Sequence, residues 1–167
     1  MKSHKYDVAV LGGGAAGLFC ASQAGKRGRR TLVIEHEDRV GKKIRISGGG
    51  RCNFTNLYTT ADGFLSSNPH FAKSALARYT PNDFVALVEK HGIAYHEKKL
   101  GQLFCDGSAA QIIEMLLKEC SDAGVDVRCN CRVGAISKED SFRLDTSVGP
   151  MASESLVIAT GGLSIPT

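Results

Sequence analysis

The sequence predicts an α/β fold, a parallel sheet joined to a small antiparallel meander, and three observations carry that expectation. Residues 6–11 form a short, valine-rich apolar run closed by glycines, the pattern of a buried strand. The run Gly12-x-Gly14-x-x-Gly17 follows at once and opens a stretch of small and apolar residues. A second apolar run, Thr31 to Ile34, then ends on an acid, Glu35. Strand, glycine turn, helix and strand in this order make a βαβ unit, whose strands are parallel with a right-handed crossover.

The helix after the glycine turn, over residues 14–25, offers Leu18, Phe19 and Ala21 for a buried face. A long excursion over residues 36–106 interrupts the regular pattern. Within it, Asn68-Pro69 and Thr80-Pro81 each place a capping residue before proline, which predicts two helix starts. Phe84, Leu87, Val88 and His91 keep helical spacing as far as Gly92. Short extended pieces are expected at 93–97 and 102–104. Ser108 and Gln111 then form a capping-box pair, and Ile112, Met115, Leu116 and Cys120 make a helical stripe ending at Gly124. Residues 125–129 read as a third parallel strand. Residues 133–136 and 142–145 alternate like a meander, and residues 156–159 read as another buried strand before Thr160-Gly161-Gly162.

Composition excludes several classes. Twenty-one basic against 17 acidic residues leave a net charge of +4. This excess is too small and scattered to argue for nucleic acid, which is not an expected partner on this ground. No apolar run approaches membrane-span length and no signal-peptide core follows Lys2 and Lys5, so the expected location is the cytoplasm. The six cysteines contain no Cys-x-x-Cys pair, and Cys129 and Cys131 lack histidine neighbours. They read as free thiols rather than metal ligands.

The glycine pattern gains meaning from its context. In a dinucleotide fingerprint Gly12 permits the tight turn, Gly14 lets backbone approach a pyrophosphate, and Gly17 lets helix and strand pack closely. The N–H groups at Ala15 and Ala16 then open a helix whose positive end favours phosphate. Glu35 can accept from ribose hydroxyls and would repel a 2′-phosphate, which disfavours NADP here. The meander, in place of another helical crossover, favours FAD over NAD. A second motif, Ser47-Gly48-Gly49-Gly50-Arg51-Cys52-Asn53, forgoes side-chain packing at three successive positions. Such a loop suits backbone pressed against a ligand; Arg51 can balance negative charge and Asn53 can donate. Cys52 reads as an ordinary thiol, and no catalytic side chain is identified. A cofactor carries the hard chemistry in such proteins.

Taken together, these motifs resemble the N-terminal part of the YhiN/BaiN-like flavoproteins, FAD-dependent oxidoreductases with a Rossmann-like FAD-binding domain of the glutathione-reductase type. The resemblance covers residues 7–17, 41–44, 47–53, Thr55-Asn56, 101–104, the helix up to Gly124, and 158–162. It implies FAD along Gly12 to Gly17 and at Glu35, with Lys43 and Gly49, Gly50, Arg51, Cys52 and Asn53 nearby. It further implies Val133 near the adenine and Thr160-Gly161 under the pyrophosphate. Val40, Arg45 and Cys105 depart from the family pattern without removing an implied contact. Family members extend past the position of Thr167, so residues 1–167 are expected to be the N-terminal part of the FAD-binding domain, apparently truncated, without the substrate domain and the C-terminal FAD-binding segment. The expected function is flavin-dependent oxidation or reduction of a small organic molecule, with NAD(P)H as donor. The alternatives are a non-catalytic nucleotide-binding fragment and a tRNA-modifying flavoprotein.

Overall fold

The computed structural model describes residues 4–162, which divide into two compact units: residues 4–44 with 116–162, and residues 45–115.

The first unit is laid down by β1 (His4–Leu11), α1 (Ala15–Lys26) and β2 (Thr31–Ile34), as the apolar runs predict. α2 (Lys42–Ile46) follows and runs into the second unit. That unit holds β3 (Asn53–Asn56), α3 (Lys73–Arg78), α4 (Pro81–Lys90), β4 (Tyr95–Glu97) and β5 (Gln102–Cys105). α5 (Ala109–Asp122) returns the chain to the first unit, where β6 (Asp126–Arg128), β7 (Val133–Lys138), β8 (Phe142–Thr146) and β9 (Met151–Ile158) complete it.

The first unit is a six-stranded sheet in the order β6-β2-β1-β9-β8-β7. β6, β2, β1 and β9 are parallel, while β8 and β7 are added antiparallel. The crossover helix α1 is held at short range. A Cβ on Gly25 would lie 2.6 Å from Ala123 O, and Cys120 Sγ donates to Leu18 O at 3.2 Å. Leu18, Val10, Leu32, Val33 and Leu116 are at most 1% exposed. Burying each such side chain is worth about 1.5–3 kcal/mol before chain entropy is charged against it. A second cluster, Ala9, Leu11, Leu32, Ile34, Cys131, Leu144 and Met151, ties the parallel strands to the meander.

The strand expected at 156–159 begins earlier, at Met151, and its end is not buried. Leu156 still packs against the core cluster, but Ile158, beyond it at the carboxyl edge of the sheet, is 63% exposed.

The second unit is built on the antiparallel sheet β3-β5-β4. Phe54 packs between Phe84 and Tyr95, with ring centroids 6.1 and 5.6 Å away. α4 starts where Thr80-Pro81-Asp83 predicts. Thr80 Oγ1 accepts from Asp83 N and the Asp83 carboxylate accepts from Thr80 N, a complete capping box. The other proline start differs: Asn68 Oδ1 accepts from His70 N at 3.0 Å in a local turn, and α3 begins only at Lys73. The short side chain of Asn68 makes the bond that closes a turn, and no helix follows it directly.

Candidate cofactor site

The fingerprint lies at the carboxyl end of β1, where parallel α/β sheets receive ligands. Gly12 has φ +106, and a Cβ there would lie 2.4 Å from Ala159 O, so the turn after β1 is pressed against the end of β9. A Cβ on Gly17 would lie 1.9 Å from Gly12 O, and only glycine lets α1 start this close to the turn. Gly14, the cap of α1, is the opposite case: nothing lies within 4 Å of an added Cβ. Ala15 and Ala16 are exposed beside it. The first intrahelical bond runs from Leu18 N to Gly14 O at 3.0 Å, which leaves the preceding N–H groups outside the helical ladder. An open, glycine-lined helix N-terminus with unspent donors fits a pyrophosphate.

Glu35 is only 7% exposed. Its Oε2 accepts from Gly13 N at 2.8 Å and its Oε1 from Glu37 N at 3.0 Å. His36 Nδ1 lies 3.0 Å from Oε1. The acid therefore braces the glycine turn itself, with lone pairs remaining for a ribose hydroxyl. Gly13 also supports the Gly41 turn, since Gly41 N donates to Gly13 O at 2.9 Å and Val40 packs on the Gly13 face. Lys43 Nζ donates to Gly162 O at 2.5 Å and lies 3.5 Å from a Cβ built on Gly161. Lys43 and the segment that follows β9 are thus brought together, while Thr160 and Gly161 themselves are exposed. Val133 opens β7 and packs against the core cluster.

Within the second unit, residues 48–50 all have positive φ, and a Cβ on Gly48 would lie 2.6 Å from the Phe104 ring. Gly49 has open space around it, and Arg51 is exposed. Cys52 is buried at φ +55, and desolvation pushes its thiol up from the ordinary range. A reactive thiolate needs the reverse shift, so Cys52 has backbone, rather than sulfur, to offer a ligand. Asn53 opens β3 opposite Phe104.

Sequence reasoning missed Gly13 and Gly162 as partners of Glu35 and Lys43. The uninterrupted Gly12-Gly13-Gly14 run was the available signal for the first. No group of residues suited to a metal ion occurs among the described residues.

Fold and fingerprint together define a Rossmann-type, FAD-binding domain. Residues 6–167 match the family described as HI0933-like protein Rossmann domain, and the chain belongs to that family. It is 54% identical over 163 residues to the ribosomal RNA dihydrouridine synthase of Escherichia coli K12, covering 97% of this chain and 41% of that protein. It is 26% identical over 161 residues to the 3-dehydro-bile acid delta(4,6)-reductase of Clostridium scindens, covering 93% of this chain and 39% of that protein. The chain thus spans about two fifths of the length of these relatives. Among solved structures, glycine oxidase from Geobacillus kaustophilus shares the fold, with a TM-score of 0.65, 22% identity, and coverage of 95% of this chain and 56% of that one. Among the described residues, no helix is long and apolar enough to cross a membrane.

Proposed function

We propose that this chain is the FAD-holding part of a flavoenzyme that reduces a uridine of ribosomal RNA to dihydrouridine. The observation that carries the reading is the 54% identity to a relative of that name across 97% of the chain. The expectation that nucleic acid is not a partner finds no support in that relative, and the RNA-modifying alternative becomes the leading reading.

The chemistry implied by the two relatives' names is related. Dihydrouridine forms by hydrogen addition across a carbon–carbon double bond conjugated to a carbonyl. A delta(4,6)-reductase acting on a 3-oxo bile acid reduces the same kind of bond. Bound FAD supplies two-electron hydride chemistry, with NAD(P)H as the proposed donor. The residues of the chain bind and orient. The α1 N-terminus, at Gly12, Gly14, Ala15, Ala16 and Gly17, takes the pyrophosphate. Glu35 takes a ribose hydroxyl, and Val133 lies at the adenine. Lys43, Thr160 and Gly161 border the cofactor. Gly49, Gly50, Arg51, Cys52 and Asn53 are proposed as further contacts, Arg51 by its charge and the others chiefly by backbone. The proposed location is the cytoplasm.

The test supplies the intact, FAD-loaded protein with NADPH and unmodified ribosomal RNA, and measures dihydrouridine by nucleoside mass spectrometry. Dihydrouridine formed only with both supports the reading. A second reading, reduction of a small conjugated ketone, rests on the bile-acid relative. NADPH oxidation driven by a 3-oxo-Δ4 steroid, with RNA inert, would replace the first reading by the second.

A further inference from the structure

The turn between β4 and β5 spends stability on an outward-facing apolar group. Gln102 N donates to Lys99 O at 3.0 Å, and both central residues, Leu100 and Gly101, have positive φ, at +52 and +75. Tight hairpin turns of this kind favour Asn, Asp or Gly at such positions, and a leucine there is strained. Leu100 is also 76% exposed. Strain and apolar exposure at one residue together point toward a function for it.

Beside it stands Tyr58, 69% exposed yet closely held. A Cβ on Gly101 would lie 2.7 Å from Tyr58 Cδ2, so the ring lies against backbone that only glycine leaves bare, and Gly101 is buried. Asn56 locks the arrangement. Its Oδ1 accepts from Tyr58 N at 2.8 Å and its Nδ2 donates to Leu100 O at 3.0 Å. Leu57 N donates to Gly101 O at 2.9 Å. The ring is therefore anchored on backbone while most of its surface meets solvent.

Two lysines precede this turn. Lys98 and Lys99 are both exposed. Lys98 Nζ lies 5.3 Å over the Phe104 ring, and Lys99 has no ion-pair partner among the described residues. Two acids of the same segment have partners of their own. Glu97 Oε1 accepts from Gly101 N at 2.9 Å, and Asp106 lies 2.6 Å from His96 Nδ1.

We infer that Tyr58, Leu100, Lys98 and Lys99 form a contact platform for single-stranded RNA, an inference that rests on the proposed RNA substrate. Tyr58 stacks on an unpaired base, Leu100 extends the apolar surface, and the lysines meet phosphates. Unpaired RNA is read by this combination of aromatic stacking and backbone charge. A purely apolar protein partner would leave the two lysines unanswered.

The experiment measures binding of a fluorescein-labelled, uridine-rich single-stranded RNA to the intact, FAD-loaded protein by fluorescence anisotropy across a salt series. Tyr58→Ala is expected to weaken binding about 5- to 150-fold, the range for loss of one stacked base, and Tyr58→Phe to retain it. Lys99→Ala, at an exposed side chain, is expected to lower the slope of log K against log salt by about 0.7. Unchanged flavin absorbance shows that each variant keeps its cofactor. If Tyr58→Ala fails to fold, the Lys99 slope carries the test alone.

Wild-type RNA binding that neither Tyr58→Ala nor Lys99→Ala alters refutes the platform and leaves the proposed function standing. A wild-type protein that forms dihydrouridine while Tyr58 resists nitration before RNA is added shows the patch covered by protein, and also refutes it. A protein that neither binds RNA at low salt nor forms dihydrouridine overturns both.

Discussion

Gly14 and Gly17 lie three residues apart in one motif, yet the structure separates their roles so sharply that alanine should produce opposite phenotypes. At Gly17 the new methyl would lie 1.9 Å from the carbonyl oxygen of Gly12, well inside van der Waals contact, and the obstacle is backbone rather than a flexible side chain. Overpacking costs about 1–3 kcal/mol and exceeds that when backbone must shift, whereas glycine to alanine inside a helix returns about 1 kcal/mol. A net loss of about 2 kcal/mol lowers the Tm of a chain this size by about 4–8 °C. At Gly14 the backbone, at φ −84 and ψ −173, is open to any residue, and no atom lies within 4 Å of the methyl. Loss of glycine from the helix cap and stiffening of the unfolded chain oppose each other and cancel to within about 1 kcal/mol. Stability should hold, but the methyl stands where FAD is proposed to approach. Affinity should fall at least about tenfold, the equivalent of 1.4 kcal/mol. Thermal unfolding of the FAD-free protein followed by circular dichroism, with FAD titration by flavin fluorescence, reads both quantities. A Gly17→Ala protein that melts with the wild type would refute the steric argument. A Gly14→Ala protein that binds FAD normally would refute the placement of the pyrophosphate.

Three further outcomes follow from individual side chains. Glu35→Gln keeps the shape but turns one acceptor into a donor facing a backbone N–H, at Gly13 or Glu37; a loss of about 1–3 kcal/mol is expected in urea unfolding, and unchanged stability would show that the brace is dispensable. Asp83 is held below the ordinary carboxylate range by its bonds to Thr80. Its folded pKa is depressed, so its contribution is complete above the unfolded value near 3.8 and is lost as pH falls through the folded one. Asp83→Asn should lessen the fall of the urea midpoint between pH 5 and 2, an interval of about three units around that value, and an unaltered profile would count against the capping box. Burial pushes Cys105 and Cys120 from 9.0 up to about 11. Their raised folded values mean that their contribution is present below pH 9.0 and is lost as pH rises toward 11. Mass-spectrometric mapping of iodoacetamide adducts at neutral pH should find these two modified only on unfolding, and rapid labelling of the native protein would contradict their burial.

The parts of the fold legible in the sequence are those whose signals are local. The β1-α1-β2 unit announces itself through apolar runs bounded by glycines, and α4 through Thr80-Pro81-Asp83, where cap, proline and acid all serve the same helix start. Asn68-Pro69 carries part of that signal, but the Asn68 side chain closes a turn to His70 instead. The fourth residue separates the two, an acid at Asp83 in one and Phe71 in the other. β3 carries no such local signal: Asn53–Asn56 has no apolar alternation and exists through pairing with β5, some fifty residues on. The site divides along the same line. Residue types and spacing point to Gly12, Gly14 and Gly17, whereas the bonds of Glu35 and Lys43 join residues 22 and 119 positions apart.

That distinction bears on what Glu35 does. An acid at the end of β2 reads from sequence as a ribose acceptor, which would make it a binding residue alone. With Gly13 N–H and Glu37 N–H already on its two oxygens, it is first a part of the turn that presents the α1 N-terminus. A buried carboxylate unable to keep such bonds carries a desolvation cost. Both bonds come from the chain itself, so the turn is braced by the protein, and the FAD proposed here would meet a shape held by those bonds. Glu35→Asp separates the two roles. A side chain one methylene shorter keeps the charge that would repel a 2′-phosphate but draws back from Gly13. If preorganisation dominates, Glu35→Asp loses FAD affinity nearly as far as Glu35→Gln. If ribose recognition dominates, FAD affinity follows the retained carboxylate, and the bond to Gly13 is incidental to binding.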